Sequence, residues 1–310
     1  MRGGSLEEQE IHIMTHEEAF IQAIRETPAD DAPRLIFADW LEEHGQADRA
    51  EFIRVQCRLA RLSDEEPDQP ILLPRAEGLL RKHWNEWVGP LRAIVGPWRD
   101  RYGERWMGEE YHPDGLRRFQ RGFVDVLALD AEDFLRHAEH LKRLVPLREL
   151  RLWRAGRCAD HLAKEPELAG LSVLSFTDYY DAPLTAAEAV ALALSPYLYG
   201  LSALYLGRNS LGDKGVEALA RAPWLEHVTV LDLSDNGLSD RALHALAESP
   251  YVVNLRKIFL QNNYFSWAGI DALRTSPNLR SITHLEYRVD IQLGLVSTRN
   301  VFLLGGSGRS

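Results

Sequence analysis

The sequence predicts an α/β solenoid, with parallel strands on the inside and helices on the outside, preceded by a small all-α module. A pattern of apolar residues recurs at a 27-residue step in the second half of the chain. A helical pattern separates successive copies, and the first hundred residues show helical patterns without this repeat. Strands that alternate with helices favour a parallel sheet, and a fixed repeat length favours stacked units.

The N-terminal part divides into three segments. Residues 1–14 are interpreted as a tag, a linker or a disordered leader, because they lack the patterning that begins near Thr15. Apolar periodicity then predicts helices at residues 17–26, 34–43 and 48–62 within a module that spans residues 15–95. Residues 96–122 are predicted to connect this module to the repeats, with Trp98 and Trp106 packing the connection down.

The repeated strand pattern is predicted to occupy residues 123–290. Alternating apolar positions make a short strand with one buried face, and an amide side chain can bond neighbouring backbone groups where the strand turns. Weaker copies at residues 147–152 and 171–176 lack this amide, and we interpret them as degenerate repeats. A further copy at residues 124–129 is interpreted as the start of the solenoid, where it acts as a cap. The regular copies begin at Leu201, Val228, Leu255 and Ile282, and their turn positions hold Asn209, Asn236, Asn263 and Asp290.

Helices are predicted between the strands at residues 131–144, 213–221, 240–248 and 268–274. Their starting residues include hydroxyl and carboxylate side chains that can accept a hydrogen bond from the first turn. A proline follows each of the last three helices at a matching offset and cannot continue it. The predicted caps are Asp213, Ser239 and Ser266, and the prolines are Pro223, Pro250 and Pro277.

These repeats resemble leucine-rich repeats, and their length with one helix per unit is similar to the ribonuclease-inhibitor type. The string PADDAPRLIFADWLEEHGQADRAEFIRVQCRLARL, with LLRKHWNEWVGPL and FQRGFVDVLAL after it, resembles the bacterial repeat-companion domain. The resemblance implies a bacterial interaction protein with a helical module ahead of its repeats. It implies no catalytic residues that can be carried over to this sequence.

Composition narrows the class of partner. The formal net charge of −10 disfavours nucleic acid, because nucleic-acid binding requires many cations to displace counterions. No apolar run is long enough to cross a membrane, and the first residues lack a secretory pattern. With only two cysteines, neither a disulfide framework nor a thiolate metal site is indicated. We therefore expect a cytoplasmic protein with a protein partner and no membrane contact.

Three groups of residues are candidates for catalysis or metal binding. Acid–base chemistry is suggested by a group of ionisable residues, namely Asp30, Asp31, Asp39, Arg34 and His44. Structural roles explain this group equally well, because Asp30 and Asp31 lie where helix caps occur and Asp39 can form an ion pair with Arg34 or Arg49. His137 and His140 share a helix but have no third ligand at a metal-site spacing. Arginines around Cys57 could lower its thiol pKa, yet neither Cys57 nor Cys158 has a histidine placed to act as base. We expect no enzyme activity, cofactor or metal.

The strand residues that alternate with the buried leucines are predicted to form a binding surface. They point away from the helices, and aromatic side chains among charges are typical of interface hot spots. The central row is Arg151, Ser175, Tyr205, Asp232, Phe259 and Glu286, and the flanking positions are Trp153, Lys257, Gln261, His284 and Arg288. This surface predicts a non-catalytic scaffold or recognition subunit that binds a protein.

The sequence is also compatible with two functions other than a scaffold or recognition subunit. A regulatory subunit that activates or inhibits a nucleotide hydrolase or a protease would insert a charged side chain, such as Arg208 or Arg288, into the site of the enzyme. A self-assembling protein would use the exposed strand edge near residues 282–304, where Val301 begins an apolar segment. Residues 291–310 are predicted to form this edge and a flexible tail.

Overall fold

The computed structural model describes residues 14–63, 67–95, 118–176, 182–287 and 300–302, which form a mixed α/β fold. A helical region comes first, and a sheet of seven parallel strands with helical connections follows. The predictions for Trp98, Trp106, Arg288 and Asp290 lie outside the described residues. In the parts of the chain that are described, no helix combines the length and the apolar character needed to cross a membrane.

Four helices form the N-terminal region: α1 (His16–Glu26), α2 (Ala32–Glu43), α3 (Ala47–Leu59) and α4 (Gln69–Val95). Helix α1 begins at a capping box in which Thr15 and Glu18 each accept a hydrogen bond from the other residue's backbone. Helix α2 starts two residues earlier than predicted, because Pro33 fits the first turn of a helix. Helix α3 ends at Leu59, three residues before the predicted end.

An aromatic cluster packs the first two helices together. Phe20 stacks on Phe37 at 4.8 Å between ring centroids, and Phe37 stacks on Trp40 at 5.9 Å. Ile24 and Ile53 are fully buried beside these rings. The helices therefore share a small apolar core, which explains why their apolar positions followed a helical period in the sequence.

A short hairpin joins the helical region to the sheet. Its strands are β1 (Phe119–Gln120) and β2 (Phe123–Val124), which pair antiparallel. Gly122 has a φ of +93°, and a Cβ there would lie 2.5 Å from a side-chain carbon of Ile53. Its amide donates to the Oε1 atom of Gln56 at 2.7 Å. Glycine is required here because the turn is left-handed and touches helix α3.

The parallel strands follow one another in chain order across the sheet. The predicted pairing of each strand with the next is confirmed, and one buried apolar residue from every strand occupies the same register. A final strand, β10 (Asn300–Phe302), pairs antiparallel with the last parallel strand. The parallel strands are β3 (Val126–Asp130), β4 (Glu149–Trp153), β5 (Val173–Phe176), β6 (Ala203–Tyr205), β7 (Val230–Asp232), β8 (Lys257–Phe259) and β9 (His284–Tyr287).

Helices connect the strands and cover one face of the sheet. Each buries a narrow apolar stripe, as Leu243 and Leu246 do in the helix after β7. One continuous core joins these stripes to the inward strand residues and extends to Phe52 and Leu80 in the N-terminal helices. The connecting helices are α5 (Ala131–Leu144), α6 (Ala159–Leu162), α7 (Ala186–Ala193), α8 (Gly212–Leu219), α9 (Asp240–Glu248) and α10 (Trp267–Thr275).

Buried asparagines link each regular repeat to the one before it. The amide nitrogen of Asn236 donates to the carbonyls of Leu206 and Ser234 at 2.8 and 2.9 Å. Its oxygen accepts from the backbone amide of Leu211 at 3.3 Å. Asn209 and Asn263 make equivalent bonds. We call the three residues the asparagine ladder; its members satisfy backbone groups that would otherwise be buried without partners.

A second set of hydrogen bonds joins the helix starts. Ser239 and Ser266 cap α9 and α10 as predicted. The prediction that Asp213 caps α8 is wrong, because α8 begins at Gly212 and the carboxylate accepts from the amide and hydroxyl of Ser239 at 2.8 and 2.6 Å. Asp240 binds Ser266 in the same way. The acidic residue in each helix therefore supports the serine cap of the next repeat.

Candidate functional site

The sheet face opposite the helices carries the predicted row of outward residues. Strand pairing places all six in one register, so the predicted alignment of this row is confirmed. Neighbouring strands lie about 4.8 Å apart, so Tyr205 and Phe259, two strands apart, stand about 10 Å from each other with Asp232 between them. The six residues are Arg151, Ser175, Tyr205, Asp232, Phe259 and Glu286. We call this face the open face.

A depression of about 630 Å³ runs along the open face. We call it the central trough, and its principal lining residues are Arg151, Tyr205, Arg208, Asp232, Phe259 and Gln261. Tyr205 and Phe259 are partly buried, so each side chain keeps part of its surface accessible to solvent. The trough thus combines fixed aromatic surface with charged side chains.

Charges of both signs surround the two rings. The side chain of Arg151 donates to a carboxylate oxygen of Glu149 at 2.6 Å. Asp232 accepts hydrogen bonds from the backbone amide and the hydroxyl of Ser234 at 2.9 and 2.7 Å, which holds its carboxylate in place. Burial, with the nearby carboxylates of Glu149 and Asp232, raises the pKa of Tyr205. Tyr205 is therefore a neutral hydrogen-bonding group at physiological pH.

The rim of the trough is formed by residues with left-handed backbone conformation. Arg208, Asp235 and Asn262 have φ angles of 64°, 52° and 58°, and each directly precedes a buried asparagine. The amide of Asn262 donates to Asp235 at 3.3 Å, and Arg208 lies 3.8 Å from Asp235. Asp235 and Asn262 were not predicted to lie on this surface, although their 27-residue spacing was a usable signal.

The other predicted surface residues lie in different settings. Lys257 and His284 are neighbours on β8 and β9 in a second row, and His284 lies 3.7 Å from Glu286. Trp153 is packed partly against the core and does not line the trough. Ser175 is largely buried but still lines the trough.

The ionisable residues near the first turn form structural contacts. Asp39 pairs with Arg54 at 2.6 Å, so its predicted pairing with Arg34 or Arg49 is wrong. Asp31 does not cap α2 as predicted, because its buried carboxylate lies 2.7 Å from Arg61 and 3.0 Å from Arg121. Asp30 does accept from the amide of Ala32 at 2.9 Å.

The thiols are poorly suited to nucleophilic chemistry. Burial raises the pKa of Cys57 to about 12, and the neighbouring arginines do not compensate, so the hypothesis of an activated thiol there is wrong. Burial also raises the pKa of Cys158 to about 11. His137 and His140 lie on α5, and the described residues contain no group of three potential metal ligands.

A strand lies at the predicted edge near residues 282–304, because β10 (Asn300–Phe302) forms one end of the sheet. Strand β10 pairs with β9, with Val301 opposite Glu286, so the outer edge of β9 is occupied by the chain itself. The two edges of the described sheet are therefore the antiparallel strand β10 and the parallel strand β3.

The fold and the trough define a class of protein, a stacked-repeat protein with an open strand face. The Leucine Rich repeat family model matches residues 201–220 and 225–247. The matched segments contain β6 with α8 and β7 with α9, so the chain contains leucine-rich repeats there. Such repeats generally mediate protein–protein interaction. No curated protein matches the chain.

Proposed function

We propose that this protein is a non-catalytic interaction scaffold or recognition subunit, a leucine-rich-repeat solenoid that binds a protein in its central trough. The observation that carries the proposal is the pair of partly exposed rings, Tyr205 and Phe259, on either side of the held carboxylate of Asp232. Aromatic anchors in a packed setting, surrounded by charges, are the usual centre of a protein interface.

The chemistry of the trough indicates what part of a partner fits it. An apolar side chain of the partner can pack against the accessible surface of either ring, and the partly buried rings lose little further entropy on binding. A cationic or hydrogen-bond-donating neighbour would meet Asp232, whose geometry is fixed by Ser234. The partner segment therefore combines an apolar residue with a lysine or arginine.

The N-terminal helices have a supporting role in this proposal. We assign α1–α4 to a repeat-companion domain that covers the first repeat. The continuous core supports this assignment, because Phe52 and Leu80 are buried in the same cluster as Leu127 of β3. Terminal units of a stacked-repeat protein need such a cover, since their apolar face has no neighbouring repeat.

A differential capture experiment tests the trough. The full chain is immobilised and exposed to an extract of its own cells, and the recovered proteins are quantified by mass spectrometry. The double variant Tyr205→Ala, Phe259→Ala should lose one specific protein by about tenfold or more, as expected for two anchor residues. Circular dichroism checks that the variant is folded.

A matched control separates this result from a general loss of aromatic surface. Tyr199 and Tyr264 are 48% and 81% exposed and lie outside the trough, so Tyr199→Ala, Tyr264→Ala should recover the same protein as the wild type. Equal recovery by both double variants and the wild type would exclude the trough as the binding site. Asp232→Asn should weaken capture several-fold if a cation of the partner lies there.

A further inference from the structure

A second cavity lies between the N-terminal helices, the hairpin and α5, away from the central trough. Its volume is about 480 Å³, which lies within the range of small-molecule sites. Apolar side chains from four elements form its walls, namely Ile21 of α1, Leu41 of α2, Leu91 of α4 and Leu144 of α5. The cavity is therefore a junction of the two regions, and its walls suit an apolar molecule.

Arg49 of α3 places a guanidinium group in this apolar setting. Its Cζ atom lies 4.6 Å from the ring centroid of Trp87, 5.5 Å from Phe123, 5.6 Å from Phe52 and 5.9 Å from Phe119. The residue is partly exposed as a whole, but its Nη1 atom is buried and has no hydrogen-bond partner among the described residues. The rings attract the charge but offer no lone pair to this donor.

Three glutamates, Glu17, Glu18 and Glu86, also line the cavity, but none of them accepts a hydrogen bond from the Nη1 atom of Arg49. The carboxylate of Glu86 accepts a hydrogen bond from the Nδ1 atom of His83 at 2.8 Å. The carboxylate of Glu18 accepts a hydrogen bond from the backbone amide of Thr15 at 2.8 Å in the capping box. Burial lowers the pKa of Arg49 to about 10, and the charges of Glu86 and Glu17 oppose this shift. Arg49 is therefore charged at neutral pH, and its buried Nη1 donor lacks an acceptor.

We propose that this cavity binds a small carboxylic acid with an apolar body, whose carboxylate pairs with Arg49 and whose body lies against Leu41, Leu91 and Leu144. A guanidinium matches a carboxylate in a planar two-point geometry, and a ligand oxygen would supply the acceptor that Nη1 lacks. His140 and Arg143 line the same cavity and add donors near its wall. This site is independent of the function proposed for the central trough.

Calorimetric titration of the full chain with 4-phenylbutanoate and with decanoate tests the proposal, with 4-phenylbutanamide as a neutral analogue of similar shape. At least one acid should bind the wild type, and the amide should bind more weakly than its acid by roughly tenfold or more, because it lacks the charge. If neither acid binds at millimolar concentration, the proposal is overturned.

Variants assign the binding to Arg49. Arg49→Leu should weaken acid binding roughly tenfold or more, whereas Arg81→Leu, which removes an exposed arginine from α4, should leave it unchanged. If Arg49→Leu is not folded by circular dichroism, Arg49→Lys replaces it; the lysine keeps the charge but loses the planar fork, so several-fold weaker binding is expected. Unchanged binding by a folded Arg49 variant would overturn the proposal.

Filling the cavity gives a separate readout. Leu144→Trp adds a ring to the wall and should abolish binding of both acids while Arg49 is retained. Wild-type affinity in a folded Leu144→Trp variant would place the acids elsewhere and contradict the site.

Discussion

The regular repeats and the earlier repeats hold their turns with different chemistry. From β6 to β8, a buried asparagine follows each strand and bonds two successive turns. After β4, Ala155 occupies the corresponding position, and the turn is held by an ion pair between Arg154 and the buried Asp130. Two stretches of one sheet thus solve the same problem with neutral amides or with opposite charges.

The difference shows why only one solution repeats regularly. An amide side chain both donates and accepts, so one asparagine can bond carbonyls and an amide group of adjacent turns. A carboxylate only accepts and requires a cation beside it when it is buried, as Asp130 requires Arg154. The asparagine turn therefore needs one residue for each repeat, and the charged turn needs a matched pair on two strands.

Removing a member of the asparagine ladder should have the largest effect on stability. Asn236→Ala deletes three hydrogen bonds: two buried ones, with Leu206 and Leu211, and a partly buried one with Ser234. At about 1 kcal/mol each, the free energy of unfolding should fall by about 3 kcal/mol. Urea denaturation followed by circular dichroism measures this change.

An exposed asparagine in the same repeats is the control. Asn254 donates to the carbonyl of Glu226 at 2.9 Å at the surface, where water can replace the bond. Asn254→Ala should therefore change the free energy of unfolding by less than about 0.5 kcal/mol. Equal losses in the two variants would show that burial of the amide does not matter.

Breaking the charged turn should have the next largest effect. Arg154→Ala leaves the carboxylate of Asp130, whose side chain is 3% exposed, without this cation. Because Arg154 itself is one-third exposed, we expect a loss of about 2 kcal/mol, less than for a fully buried pair. Arg136→Ala on α5, which removes an exposed pair with Asp133, should cost less than about 0.5 kcal/mol.

The same substitution made in an Asp130→Asn background sharpens this test. The asparagine keeps an oxygen that can accept from the amide of Glu132, as Asp130 does at 2.9 Å, but carries no charge. Arg154→Ala should then cost clearly less than in the wild type. An undiminished cost would mean that Arg154 acts through packing and not through the charge of Asp130.

Glycine substitutions should have opposite signs in the two halves of the molecule. Gly237 follows Asn236 with a φ of +70°, and a Cβ there would touch nothing. Gly237→Ala should cost about 1 kcal/mol from backbone strain alone. Gly78 lies in α4 with equally open space, so Gly78→Ala should stabilise by about 1 kcal/mol. Thermal unfolding of both variants compares them, and a shift of the same sign in both would contradict this explanation.

The smallest expected effect is a pH dependence in the helical region. Burial lowers the pKa of His83, but hydrogen bonds to Asp48 and Glu86 outweigh burial and raise it above the usual value of 6.5. Protonated His83 therefore contributes stability that is fully present below pH 6.5 and is lost as the pH rises through the raised pKa. His83→Gln should remove this decline from the free energy of unfolding; an identical slope in the variant would show that His83 is not its cause.

Much of the sheet was predictable because its determinants are local and periodic. The alternation around Leu204 and Leu231 fixes which strand face is buried, and the constant step aligns the outward residues Tyr205 and Asp232. Helix α5 was predicted at its observed limits, because Asp130 caps it and apolar residues follow at helical spacing.

The features that were missed depend on partners far apart in the sequence. The role of Asp213 is set by Ser239 in the next repeat, and that of Asp31 by Arg61 and Arg121. The acid-binding cavity was not foreseen because Arg49 meets rings from α4 and the hairpin, which no local pattern connects. Rim residues such as Asn262 were missed because a left-handed conformation turns them towards the trough.

The asparagine ladder also restricts how the length of this chain can change during evolution. Each amide bonds the turn one unit earlier, so Asn236 and Asn263, 27 residues apart, must keep their spacing. Loss of residues 210–236, a deletion of 27 residues, would join Asn209 to Gly237 and leave Asn263 opposite an equivalent turn. A deletion that is one residue shorter would shift Asn263 by one position relative to that turn, so its side chain could not make the same hydrogen bonds. Duplications and deletions of whole units are therefore compatible with the fold, and the length of the open face can vary only in steps of one strand.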